Sequence, residues 1–177
     1  MPDDADTRWR QEQTEYWINK AIENQRLGKD TVIGGGAVYG EILACPSINQ
    51  IDHLDVCLLD CDDIVRLDRL RKYRGHEPGM DILTWAAWLR VHAVDPTWCQ
   101  HVIMNDSFAS MRWDNWRDWE RGDPRWQQKI IDTSTAKIEQ ITADVARWIE
   151  AQVSTKDVCS GESDRDDMDS MFRDDDA

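Results

Sequence analysis

The spacing of apolar positions along this chain changes between the helical period and short continuous runs. Residues 80–93 place apolar side chains on one helical stripe, whereas the apolar run 54–59 is typical of a strand buried in a parallel sheet. The predicted helices are 8–27, 40–45, the segment after 60, 80–93, 111–120 and a last one ending near 151. The predicted strands are 31–33, 54–59, 101–104 and 130–134, with a loop at 75–79. Strands separated by helices predict an α/β fold with a small parallel sheet, in which ligands bind beyond the carboxyl ends of the strands.

Charged residues follow the strand predicted at 54–59. Three aspartates come first, where the amino end of a helix stabilises negative charge: Asp60, Asp62 and Asp63. Three arginines then recur at helical or near-helical spacing: Arg66, Arg69 and Arg74. Guanidinium groups beyond the carboxyl end of a parallel strand suit phosphate recognition. The alternative is an amphipathic surface helix whose arginines are solvated or paired with nearby aspartates.

Composition limits the domain organisation and the partners. A chain of 177 residues predicts one domain, and a formal charge of −14 argues against a nucleic-acid partner, since neutralising phosphates requires a basic surface. Residues 153–177 are acidic and poor in apolar side chains, so we expect a domain at 1–152 followed by a disordered tail. No segment has the pattern of a signal peptide or the length of a membrane span. We therefore expect a cytoplasmic protein with no membrane partner.

The five cysteines are Cys45, Cys57, Cys61, Cys99 and Cys159. Their odd number and scattered positions argue against a disulfide framework. A structural zinc site favours a tight Cys-x-x-Cys pair, and the sequence contains none. We therefore expect reduced structural thiols and no metal site.

Three segments in order resemble the later two-thirds of the small P-loop kinases of the gluconate-, shikimate- and adenylate-kinase type. These are TVIGGG, then HLDVCLLDCDD with VRLDRLRKYRG, then KIIDTS before a final helix. The resemblance implies a three-layer α-β-α fold, a small-molecule or nucleotide ligand, and ATP with magnesium as cofactors. It implies a phosphate or lid role for Arg66, Arg69, Arg71, Arg74 and Arg90. It implies a nucleotide base pocket lined by Asp132, Thr133 and Ser134.

The sequence departs from that family at the phosphate-binding loop. No G-x-x-x-x-G-K-[ST] motif is present, and the nearest imitation, at 28–31, has Glu23 in place of the first glycine. It also has Asp30 in place of the magnesium-binding hydroxyl, and a carboxylate there would repel phosphate. Three interpretations follow: a kinase-like domain with an incomplete or degenerate ATP site, a remodelled site that still transfers phosphate, or a non-catalytic binding or protein-interaction module on the same scaffold.

Aromatic residues in the second half of the chain allow two interpretations. Trp113, Trp116 and Trp119 recur every third residue, which suits either a partly buried helix or an aromatic platform for a base or sugar. His92, near the end of the helix predicted at 80–93, suits either a hydrogen-bonded histidine whose charge favours the helix dipole or a proton-transfer group. We favour packing for the indoles and the helix-end role for His92.

The resembled fold has a strand between those matched here by 31–34 and 54–59. Without it, both strands would present unpaired backbone donors and acceptors, which are templates for association. The sequence therefore predicts that these strands pair directly, that a segment such as 101–104 fills the gap, or that the chain self-associates through an unpaired sheet edge.

Overall fold

A computed structural model of the chain describes residues 6–74 and 77–170, so part of the loop predicted at 75–79 lies outside the described residues. The helices are α1 (Thr7–Gln25), α2 (Tyr39–Ala44), α3 (Asp63–Arg74), α4 (Met80–His92), α5 (His101–Met104) and α6 (Ile138–Ser170), with 3₁₀ turns at Ile48–Gln50 and Trp113–Asn115. The strands β1 (Cys57–Asp60) and β2 (Lys129–Asp132) form a two-stranded parallel sheet. Contacts within the chain define two units, Met1–Ile131 and Asp132–Ala177. The mixed helix-and-strand class is as predicted.

Both ends of α1 follow from local sequence. The Asp6 carboxylate accepts a hydrogen bond from the Trp9 backbone N–H at 2.7 Å, which satisfies a donor that a helix start leaves free. Gly28 has a φ of +67° just past the end of the helix, a conformation that glycine adopts without strain. The helix predicted at 8–27 is confirmed, and so is that predicted at 80–93.

The core of the first unit consists of two clusters that α2 connects. The larger cluster buries Val38, Tyr39, Ala44, Trp88, Ile103, Met111, Trp116 and Trp126. The smaller cluster buries Ile18, Ile22, Cys45 and Ile48. Because α2 lies in the first cluster and the residue after it lies in the second, this six-residue helix positions α1 against the aromatic core.

Two predicted strands are wrong. Residues 31–33 adopt no regular structure, and Val32 is 75% exposed. Its β-branched neighbours favour a strand only where a partner strand packs beside them. Residues 101–104 form α5 instead, where the Asn105 N–H donates to the His101 carbonyl at 3.0 Å and Ile103 is fully buried. A short apolar run does not by itself distinguish a strand from a buried helical turn.

The helix predicted at 111–120 is also wrong, since only a single 3₁₀ turn forms there. Tertiary hydrogen bonds to the α2 region replace the helical ones. The Arg112 N–H donates to the Ala44 carbonyl at 2.7 Å, and the Asn115 side chain donates to the Leu43 carbonyl at 2.7 Å. These bonds satisfy the carbonyls that the end of α2 leaves unpaired.

The strand pairing differs from that expected for the resembled kinases. The segment 31–34 forms no strand, so neither its direct pairing with 54–59 nor a gap filled by 101–104 occurs. The strand predicted at 54–59 begins three residues late, and β1 pairs with β2. The preceding Val56 carbonyl accepts from the Lys129 N–H at 2.9 Å.

In the second unit, α6 begins at Ile138, four residues beyond Ser134. Thr133 and Ser134 therefore do not cap this helix. The helix extends to Ser170 and thus includes part of the acidic segment 153–177, but the side chains of 155–170 and all of 171–177 lie outside the described residues. The disorder of that segment stays a prediction.

Candidate functional site

A charged cluster lies where β1 ends and α3 begins. Asp60 is the last residue of β1, and its carboxylate accepts a hydrogen bond from Arg66 Nη2 at 2.6 Å. The same Nη2 donates to the Cys61 carbonyl at 3.3 Å. Arg66 stands one turn into α3, so the short connection between strand and helix brings its guanidinium back over the strand end.

Arg90 reaches the same carboxylate from α4. Its Nε lies 2.8 Å from Asp60 Oδ2, and its Nη2 donates to Asp63 at the start of α3. The hydrogen bond to Asp63, together with the charge of Asp60, raises the pKa of the Arg90 guanidinium. Each oxygen of Asp60 therefore faces one guanidinium, and the two guanidiniums come from different helices.

The balance of charge in this cluster decides what it can bind. Asp60 and Asp63 offset Arg66 and Arg90, so an external phosphate must compete with carboxylates that are already in place. One donor is left over, because Arg66 Nε is buried and has no hydrogen-bond partner in the described part of the chain. A buried guanidinium N–H without an acceptor is unfavourable, and a bound anion would satisfy it.

The other predicted arginines are Arg69, Arg71 and Arg74, and Arg71 lies outside this cluster. Arg71 binds Glu77, with Nη2 2.7 Å from Oε1, and both side chains are at least half exposed. Arg69 is partly buried on α3 and has an interaction with a neighbouring group. The Arg74 side chain lies outside the described residues. The structure therefore brings together Arg66 and Arg90 of the predicted phosphate or lid set.

The residues predicted for a base pocket form a tight turn directly after β2. The backbone N–H of Ser134 donates to the Asp132 carboxylate at 2.8 Å, and the Ser134 hydroxyl donates to the same oxygen. Thr133 between them is buried. This is a turn of the kind that Asp and Ser side chains stabilise. The base-pocket role of the three residues stays a prediction.

The tryptophans of 113–119 pack into the core. Trp116 is fully buried, and its indole N–H donates to the Gly40 carbonyl at 2.7 Å. Trp113 and Trp119 are partly buried and pack against the same cluster. The packing interpretation is confirmed for Trp116, because a buried indole with a satisfied N–H leaves no open face for a base.

His92 differs from its predicted role. The ring is 1% exposed, and neither nitrogen has a hydrogen-bond partner in the described part of the chain. Burial lowers the pKa of His92 to about 4, so the imidazole is neutral near pH 7. The expectation that a charged His92 favours the end of α4 is therefore wrong, because the ring is neutral.

A second polar site, buried in the first unit, has no strong sequence signal. Glu41 is fully buried on α2 and binds Arg10 of α1, with Arg10 Nη2 2.6 Å from Oε1. Gln11 donates to the same oxygen at 2.9 Å and to the Ile103 carbonyl at 2.8 Å. The one clue is a carboxylate within the otherwise apolar segment YGEILA. Because its contacts are all within the protein, this network fixes α1 against α2 and α5.

In residues 6–73 and 77–154, whose side chains the structure describes, no three metal-ligating side chains lie together in a way that would hold a metal ion. No helix in the same ranges has the length and apolar character to cross a membrane. Comparisons of the chain with protein-family models, with curated proteins and with solved structures found no match.

Proposed function

We propose that this chain is a kinase-like α/β domain that binds a phosphorylated small molecule or nucleotide at the cluster of Asp60, Arg66 and Arg90. The observation that carries the proposal is the convergence of two guanidiniums, from α3 and α4, on one carboxylate at the carboxyl end of β1. Ligands of open α/β sheets bind at that end of the strands. A phosphate would replace the Asp60 carboxylate between the arginines and would also accept from the free Arg66 Nε.

The three-layer scaffold, the cytoplasmic location and the lack of nucleic-acid and membrane partners belong to the same proposal. ATP with magnesium, the cofactor pair of the resembled kinases, does not fit the residues present. The segment 28–34 adopts no regular structure and is not followed by a helix until Tyr39. Since positioning and charge supply nearly all phosphoryl-transfer catalysis, a site without loop lysine and magnesium ligand is expected to bind rather than to react.

The second candidate is a non-catalytic binding or protein-interaction module on the same scaffold. The ion pairs themselves favour it, because Arg66 and Arg90 already have carboxylate partners and are stable without a ligand. The exposed strand residues Leu59 and Ile130, at 50% and 41% exposure, support self-association through the small sheet as part of this candidate.

Calorimetry with inorganic phosphate tests the proposal. The wild-type protein is expected to bind phosphate in the millimolar range, about 4 kcal/mol of binding free energy. Arg90→Gln should lose about 1.5–3 kcal/mol of that free energy, because one charged hydrogen bond is removed. Arg71→Gln removes an equal charge from an exposed pair and should leave phosphate affinity unchanged.

Equal phosphate affinity in Arg90→Gln and the wild type contradicts the proposed site. Micromolar ATP binding that depends on magnesium would instead favour a remodelled site that still transfers phosphate. Absence of phosphate and ATP binding, with a concentration-dependent oligomer in sedimentation, favours the interaction module.

A further inference from the structure

A cleft of about 600 Å³ lies along α4. Its wall is formed mainly by Trp85, Trp88, Val91, Trp98, Cys99 and Val102. At 100° per residue, Arg90 points away from the stripe of α4 that lines the cleft, so the cleft is separate from the charged cluster. Its volume falls within the range of about 300–1,000 Å³ typical of small-molecule sites.

The walls of the cleft are held in place before any ligand arrives. The indoles of Trp85 and Trp88 stack on each other at 5.2 Å, and the Trp88 N–H donates to the Cys99 carbonyl at 3.3 Å. This bond joins α4 to the opposite wall. A rigid wall lowers the cost of binding, because fewer side chains must be ordered by the ligand.

Trp98 is the open aromatic surface of the cleft. It follows a turn in which the Asp95 carboxylate accepts from the Thr97 N–H at 2.9 Å and from the Thr97 hydroxyl at 2.6 Å. Pro96 within this turn is fully buried. Trp98 is nevertheless 45% exposed and makes no ring contact with another aromatic residue in the described part of the chain. The turn therefore holds an indole face towards solvent at the edge of an apolar cavity.

The polar groups of the lining offer a ligand little. The Thr84 hydroxyl already donates to the Met80 carbonyl at 2.6 Å. Asp81 lies in the first turn of α4 with its carboxylate against Gly79, where the amino end of the helix stabilises negative charge. Neither group is directed to pair with a charged ligand.

We propose that this cleft binds an uncharged, planar aromatic small molecule that stacks on Trp98 and fills the space beside Trp85 and Trp88. Ring stacking and apolar burial would supply the affinity without new hydrogen bonds. The site goes beyond the phosphate site proposed above and does not depend on it.

Fluorescence titration with N-phenylnaphthylamine, an uncharged dye that brightens in apolar surroundings, tests the cleft. The wild-type protein should bind one dye molecule saturably, and Trp98→Ala should weaken binding by at least about tenfold. Trp17→Ala removes an indole of similar exposure, 50%, from α1 and should change nothing. Ala87→Trp adds bulk at the lining, removes no native contact of Trp98, and should also block the dye.

Absence of saturable dye binding, or equal binding by Trp98→Ala, Ala87→Trp and the wild type, overturns the proposal. A sulfonated form of the dye that binds as tightly as the uncharged form overturns the assigned ligand class. Sedimentation that shows a dimer broken by Ala87→Trp means that a second copy of the chain occupies the cleft, and this too overturns the proposal.

Discussion

The buried imidazole of His92 makes the free energy of unfolding of this protein depend on pH. The ring stacks on Trp88 at 4.4 Å and meets the edges of Trp116 and Trp126. Burial in this apolar surrounding disfavours the charged form, and the charge of Asp95 and the backbone of Trp98 oppose the effect to a smaller extent. The folded protein therefore takes up this proton only near pH 4.

The sign and size of the effect follow from the two pKa values. The unfolded chain protonates His92 near its ordinary pKa of 6.5, whereas the folded protein protonates it near a pKa of about 4. Between these values the unfolded state binds more protons, so the free energy of unfolding falls as the pH falls. His92 contributes no penalty above pH 6.5, and it costs about 3 kcal/mol by pH 4, at about 1.4 kcal/mol for each pH unit.

Urea unfolding at about pH 7 and about pH 4.5, for the wild type and His92→Gln, isolates this contribution from those of the many carboxylates. The wild type should lose about 2–3 kcal/mol more than the variant over this interval. His101→Gln, which removes an exposed histidine of α5, is the control and should follow the wild type. If the wild type and His92→Gln lose equal stability on acidification, the reasoning is wrong.

Two further predictions concern packing in the first unit, both measured by urea unfolding. Glu41→Ala should lower the free energy of unfolding by about 3–5 kcal/mol, because it leaves the partly buried Arg10 guanidinium unpaired. Glu12→Ala removes a partner from an exposed ion pair and should cost less than about 1 kcal/mol. Similar losses in the two variants would refute this. Gly40→Ala should cost about 1–3 kcal/mol, since its Cβ would lie 2.6 Å from Trp116 Cζ2, whereas Gly36→Ala meets open space. A neutral Gly40→Ala would contradict the packing described.

The sequence predicts the elements whose signals are local. The helices α1 and α4 have apolar residues at helical spacing, and α1 has a capping residue and a stop glycine. The segments 31–33 and 101–104 are misassigned because their apolar residues suit a strand or a helix equally, and distant contacts decide between them. The Trp-rich segment 111–120 has the helical period, but hydrogen bonds to the end of α2 determine its shape.

The candidate site is only partly predictable for the same reason. Arg66 and Arg90 are identified from their residue type and position, but their meeting at Asp60 depends on how α4 packs beside β1. The neutrality of His92 depends on burial among Trp88 of its own helix and Trp116 and Trp126 from distant segments. The exposed position of Trp98 could not be predicted from hydrophobic periodicity, because Trp98 follows a turn and does not belong to a helix.

The most direct test of the central claim is phosphate binding by Asp60→Asn. If Asp60 occupies the place of a ligand phosphate, removal of its charge should free Arg66 and Arg90 and raise phosphate affinity by about tenfold, or about 1.4 kcal/mol. Asp68→Asn makes the same change in net charge on the exposed side of α3 and should leave the affinity at the wild-type value. Calorimetry that shows a gain in Asp60→Asn alone supports an anion site between the two arginines. Equal affinities in the two variants would mean that the cluster is a structural ion-pair network and not a ligand site.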